Sequence, residues 1–332
     1  MTPRVRRAGI CAAALLIAGL LSVAAAAAAD AARQSLRDAW WTGSLLAQSA
    51  TTLPVGHFYM EPTLADNVPY ARFDSGGKAH ATLLENELSS AMPVKFGVTD
   101  RLALGAILRF DYDWPLQGAS SSRIGAGDPS LQLQYRLTQY QSGSWIPAVA
   151  VSVQESLPVG RYDRLDRQTD GLGSGAYTTT FATCFQSFFW MPNGRIVRAR
   201  VDLFYATSRR VSVEGRSVYG TSDNFRGHVA RGDSASVDLA FEYSATQNWV
   251  LASDFWLERD ASTRVMGMYS VPAGGTRNSF SVSGTGRELI VAPAVEYNWS
   301  SRLGVIVGVR ATVAGRNETG FVTPVAAFSY FR

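Results

Sequence analysis

Leu102-Ala103-Leu104-Gly105-Ala106-Ile107-Leu108-Arg109-Phe110-Asp111-Tyr112-Asp113 is the stretch on which the fold turns. Leu102, Leu104, Ala106, Leu108, Phe110 and Tyr112 fall on one face of an extended chain, and Arg109, Asp111 and Asp113 on the other. A period of two is the signature of a strand with one apolar face. The same pattern recurs outward in both directions. Leu131, Leu133, Tyr135 and Leu137 alternate with Gln132, Gln134 and Arg136. Val237, Leu239, Phe241 and Tyr243 alternate with Asp238 and Glu242, and Leu289 to Trp299 alternate with Glu288 and Glu296. Twelve strands are expected, beginning near residues 56, 82, 101, 127, 145, 175, 195, 235, 249, 287, 303 and 320.

The connections alternate strictly in length. Short ones fall near residues 99–100, 141–143, 192–194, 246–248 and 300–301. Long ones run over about 65–80, 115–126, 159–173, 209–232 and 260–285, with a shorter last one at 315–318. This layout predicts an all-β, antiparallel transmembrane β-barrel with short periplasmic turns and long outer loops. A soluble β-sandwich shares the alternation, but its strands are usually five or six residues long, shorter than these. Tyr135, Trp145, Trp190, Tyr243, Trp249, Tyr297, Trp299 and Tyr330 cluster beside the short turns, as a belt at a lipid–water interface would. The chain ends Phe328-Ser329-Tyr330-Phe331-Arg332, so an arginine holds the terminal place where such barrels commonly carry an aromatic residue.

The first 29 residues read as a secretion signal: Arg4, Arg6 and Arg7, an apolar run over residues 10–23, then small residues with Ala27 and Ala29 before Asp30. Past it no stretch of about 18 apolar residues remains to form a membrane-spanning helix. Of 332 residues, 17% are charged, and the formal charge is +4. Removing the leader's three arginines leaves 28 basic residues against 27 acidic, which excludes an electrostatic footprint for nucleic acid. Cys11 goes with the leader, and Cys184 is then alone and expected to pack inertly. The expected location is the outer membrane of a Gram-negative bacterium. Its lipids, small solutes and the periplasmic chaperone and barrel-assembly machinery are the expected partners.

In a barrel the polar face lines the lumen. The expected lining comprises Glu61, Glu85, Glu87, Arg109, Asp111, Arg136, Arg198, Arg200, Asp202, Asp238, Glu242, Asp254, Glu288, Glu296 and Arg310, with Lys95 and Glu258 on the same face. Both signs are represented, so the set reads either as ion pairs satisfying one another or as a polar constriction. Twelve strands lie between the filled eight-stranded barrel and the open sixteen-stranded one. Glu155 falls on the apolar face and is expected at the outer rim. The segment 30–55, with Trp40-Trp41-Thr42-Gly43, is long for a tail. It either enters the lumen as a plug or packs at the periplasmic rim, where the paired tryptophans would anchor it.

Signs of catalysis are poor. His57, His80 and His228 lie far apart, and the chain lacks G-x-S-x-G, H-E-x-x-H and a phosphate-binding glycine loop. No H-x-S-N string resembles the membrane phospholipases, and His228 near Ser234 reads as a solvated loop residue. No enzyme, cofactor or metal is expected. Gly274-Gly275 and residues 281–286 read as flexible exterior surface.

The stretches Trp40-Trp41-Thr42-Gly43-Ser44-Leu45-Leu46 and Leu53-Pro54-Val55-Gly56-His57-Phe58-Tyr59-Met60-Glu61-Pro62 resemble the amino end of a family of outer-membrane transporters. Phe96-Gly97-Val98-Thr99-Asp100-Arg101-Leu102, Gly127-Asp128-Pro129-Ser130 and Leu157-Pro158-Val159-Gly160-Arg161-Tyr162 extend the resemblance over most of the chain. That family is linked to the meta pathway of phenol degradation. The resemblance implies passage of small, aromatic or apolar solutes and carries over no binding residues. A barrel with a structural or loop-binding role, without transport, is the competing expectation. The exported protein is expected to start at Asp30, and its intact mass checks this: a mass retaining residues 10–23 would contradict the leader.

Overall fold

The computed structural model describes residues 33–81, 85–115, 119–271 and 274–332. The leader therefore lies outside the described residues, as does the side chain of Glu85.

Twelve antiparallel strands close into a barrel. β1 runs through Phe58–Met60 and Thr63–Phe73, β2 is Glu85–Thr99, β3 Leu102–Pro115, β4 Ser130–Thr138, β5 Ala148–Ser156 and β6 Thr178–Trp190. β7 is Ile196–Ser208, β8 Ser234–Ser244, β9 Trp249–Asp260, β10 Gly286–Ser300, β11 Leu303–Arg316 and β12 Thr319–Phe331. Each pairs with its sequence neighbours, and β12 returns to β1 through Ala326↔Leu64 and Tyr59↔Phe331. β1 is interrupted at Glu61-Pro62 because Pro62 has no N–H for the ladder. The Pro62 carbonyl still accepts from Phe328 N at 3.1 Å, and Glu61 N donates to Pro93 O at 3.0 Å, so closure survives.

The distribution of exposure settles barrel against sandwich. On β8 Leu239 and Phe241 are 41% and 48% exposed, whereas Asp238 and Glu242 are both fully buried. Apolar outside and charged inside inverts a soluble domain and suits lipid around a polar interior. Tyr135, Trp145, Trp249 and Trp299 stand exposed beside the short turns. Trp190 departs from the expected belt. It shares the inward parity of Gln186 and donates from Nε1 to the Gln34 carbonyl at 2.9 Å. Glu155 stays on the outer face, half-buried, and accepts from Thr179 Oγ1 on the adjacent strand.

Two long connections hold more structure than their composition announces. Val211–Glu214, Phe225–Ala230, Arg264–Ser270 and Thr276–Val282 form a separate four-stranded antiparallel sheet beyond the barrel's long-loop end. Its inner face packs Val211, Val213, Phe225, Val229 and Val265 with Ala176 against Tyr162 and Tyr219. Ser281 thus belongs to a strand and not to flexible surface, while Gly274 and Gly275, at φ of 83° and 105°, make the turn before it. Each strand of the sheet is only four to seven residues long, too short for its alternation to stand out. Phe225→Ala should cost this sheet about 3–5 kcal/mol. Limited proteolysis is expected to open residues 211–230 and 264–282 in that variant while the barrel keeps its heat-modifiable gel mobility.

Candidate functional site

The charged interior is concentrated on four adjacent strands. β7 supplies Arg198, Arg200 and Asp202, β8 Asp238 and Glu242, β9 Asp254 and β10 Glu296, all buried. Register places Arg198 opposite Glu242 and Asp202 opposite Asp238. Both arginines converge on one carboxylate. Arg198 forks onto Glu242, with Nε to Oε2 at 2.5 Å, and Arg200 Nε lies 3.4 Å from the same oxygen. Asp202, Asp254 and Glu296 are left to other donors.

Those donors are main-chain N–H groups of residues 42–48. Thr42 N donates to Glu296 Oε2 at 2.6 Å. Leu45 N donates to Asp254 Oδ2 at 3.2 Å, and Leu46 N and Ala47 N donate to Oδ1 at 3.4 and 3.1 Å. Gln48 N donates to Asp202 Oδ2 at 2.5 Å. Amides in the wall meet the carbonyls: Asn298 Nδ2 reaches Trp40 O at 3.3 Å and Gln134 Nε2 reaches Ser49 O at 2.6 Å. The Arg200 guanidinium donates to Ala47 O at 3.2 Å. Arg198 also stacks its guanidinium 4.5 Å from the centre of the Trp41 ring, a cation–π contact.

The segment makes an arc. At one foot Gln34 N donates to Gly194 O at 2.9 Å and Trp40 N to Gln247 O at 3.3 Å, both in short turns. At the other, Thr52 Oγ1 donates to Asp100 O at 2.7 Å in the β2–β3 turn. There the chain crosses Gly97, where a Cβ would stand 2.1 Å from Pro54 O, so only glycine leaves room. Between arc and wall remains a cavity of about 350 Å³. Trp41, Leu46, Leu53 and Ile107 give it an apolar side, and Lys95, Gln132, Gln134 and Arg200 a polar one.

Of the remaining residues expected along the interior, Glu61 lines the same cavity as Lys95 and Arg200, and the others described sit apart from this cluster. Glu61 takes the Tyr59 hydroxyl, Glu87 accepts from Asn67 Nδ2 at 2.8 Å, and Arg136 donates to the Asp100 carbonyl at 2.7 Å in a short turn. Arg109 is exposed, while Asp111, Glu288 and Arg310 are half-buried. Gln132, Gln134, Gln186 and Asn298 lie outside the charge-based set although all four are buried. Their inward parity was readable, but a search for charges passes over neutral amides. His80 pairs with Asp74 at 2.7 Å in an outer loop and thereby holds that exposed carboxyl below the usual range.

A closed twelve-stranded barrel, apolar outside and charged within, defines the outer-membrane β-barrel class. The chain belongs to the family described as "Putative MetA-pathway of phenol degradation", which matches residues 33–323. It is similar in fold to the crystal structure of an outer-membrane channel from Pseudomonas putida F1. That likeness has a TM-score of 0.63 at 12% identity and covers 87% of this chain and 100% of that one. Weaker likenesses are the NanC porin (TM-score 0.43, 7% identity, 82% of this chain and 98% of that one) and a variant of the TodX monoaromatic hydrocarbon channel. The latter has a TM-score of 0.40 at 11% identity and covers 92% of this chain and 98% of its own. No curated protein matches the chain.

Asp254→Ala removes the acceptor of three main-chain donors. Each buried donor left alone costs about 1–3 kcal/mol. Hydrogen exchange read by mass spectrometry should quicken at residues 45–47 in this variant and stay unchanged in the outer sheet.

Proposed function

We propose that this protein is an outer-membrane channel for small solutes with an aromatic or apolar body, and that residues 33–55 constrict its lumen. The observation that carries the reading is the cavity between the arc and the wall. Its volume, about 350 Å³, lies at the small end of ligand-sized pockets. One side offers Trp41, Leu46 and Ile107 to a ring, and the other offers Lys95, Gln132 and Gln134 to a hydroxyl or carboxylate. Selection then rests on width and lining groups and needs no covalent chemistry. The family's link to phenol degradation supports the same solute class. Along this path Arg198, Arg200 and the acids of β7–β10 serve twice, fixing the arc and setting the field a solute meets.

A second reading, a barrel whose loops bind partners without transport, draws on the ordered outer sheet. Single-channel recording in planar bilayers separates the two. The full chain should show small steps, and deletion of residues 30–53 should enlarge them, with phenol-like solutes reducing the current. If both forms stay silent while folded, the channel reading fails and the second takes its place.

A further inference from the structure

The outer sheet presents a chemical pattern that the proposed channel does not use. Its Gly227 and Gly267 are paired in register. A Cβ on Gly227 would stand 2.2 Å from Met266 O, and one on Gly267 would stand 2.3 Å from Arg226 O. The Phe225 ring fills the space beneath both, within 2.7 Å of either position. The residues flanking these glycines therefore show their side chains on the opposite, outward face, since neighbours along a strand alternate. They are Arg226 and His228 on one strand and Met266 and Met268 on the next, with Arg226 opposite Met268 and its guanidinium drawn onto Glu214.

His228 is directly opposite Met266, and Met268 follows two residues along on the same face. Opposed side chains in an antiparallel pair have Cβ atoms about 4.5–5.5 Å apart, and diagonal ones about 7–8 Å. Unbranched methionine side chains bridge such gaps readily. All three line an open concavity of about 640 Å³ together with Tyr162, Arg164 and Glu214. Met268 is 46% exposed, so its thioether is within reach of solution.

The imidazole is already oriented. Its Nδ1 lies 3.3 Å from Ser212 Oγ on the adjoining strand, which leaves Nε2 as the free ring nitrogen. A hydrogen-bond partner on the other ring nitrogen is what a metal-bound histidine usually has. The two carboxylates that line the concavity are engaged elsewhere: Asp163 Oδ2 accepts from Glu214 N at 3.0 Å. Glu214 is engaged by Arg164 and, at 2.6 Å, by Arg226, and both arginines hold its carboxyl below the usual range. What remains is two thioethers and one imidazole, a donor set that favours soft ions over the hard, oxygen-seeking ones.

We propose that His228, Met266 and Met268 form a binding site for a soft monovalent metal ion, Cu(I) or Ag(I), on the outward face of this sheet. The site needs no redox step, because the ion binds in the oxidation state it keeps. It is independent of the lumen, so it stands or falls separately from solute passage.

Silver nitrate in chloride-free buffer is the probe, titrated by calorimetry into the chain from Asp30 onward, without Cys11, folded in detergent. One Ag(I) per chain is expected. Met266→Leu with Met268→Leu should abolish that stoichiometric binding, and His228→Gln should do so without touching either thioether. Ser212→Ala should weaken it roughly 10-fold, the lower end of the loss usual when a ligating histidine loses its hydrogen-bond partner. Met92→Leu with Met191→Leu, and separately Cys184→Ala, should leave it unchanged, since Cys184 is buried. Heat-modifiable gel mobility certifies each variant as folded. Absence of binding to the unaltered chain, or undiminished binding to the folded Met266→Leu, Met268→Leu variant, would overturn the assignment.

Discussion

A backbone that crosses a barrel without joining a strand has N–H groups that no ladder satisfies. Buried and unmade, each costs about 1–3 kcal/mol. Here carboxylates solve that difficulty: Glu296, Asp254 and Asp202 accept from Thr42, Leu45, Leu46, Ala47 and Gln48. The same contacts solve the converse problem, because these buried acids have no arginine forked onto them as Glu242 has. Arc and wall therefore require each other. Since the arc is held largely by its main chain, Leu46 and Leu53 help to shape the adjoining cavity beside Trp41, whose ring packs against Arg198.

Much of this architecture is legible in the sequence. Alternation at Leu102–Asp113, Val237–Tyr243 and Leu289–Trp299 has period two, and lipid on one side makes that alternation strong. The alternation of short and long connections then fixed which end is which. Trp190 shows the limit: proximity to a short turn places a residue in height, but only register tells whether it points to lipid or inward. The outer sheet was hidden because its strands are brief and its core, Val211, Val213, Phe225, Val229 and Val265, is assembled from two separate connections.

The pairing inside the barrel was the least legible part. Composition offered both signs of charge in the wall, which suggested side chains neutralising side chains. Only Glu242 follows that scheme with Arg198 and Arg200 among the buried groups described. Glu296, Asp254 and Asp202 meet amides more than 150 positions away in the chain. Every residue but proline carries such an amide, so no residue type announces the partner. The segment's unusual length was the one available clue, and it left plug and rim packing equally open.

The two ends of the barrel divide the work. Short turns clamp the feet of the arc through Gly194, Gln247 and Asp100, while long connections build the sheet that faces outward. The arc's place in the lumen is the claim on which the rest hangs, and a disulfide trap tests it most directly. At Gly304 a Cβ would stand 2.2 Å from Thr42 Oγ1, so cysteines at both positions lie within bonding reach. With Thr42→Cys and Gly304→Cys in the barrel of intact cells, the account predicts near-complete cross-linking under mild oxidation, seen as a gel shift that reductant reverses. Two thiols that stay free and open to a membrane-impermeant reagent would contradict it.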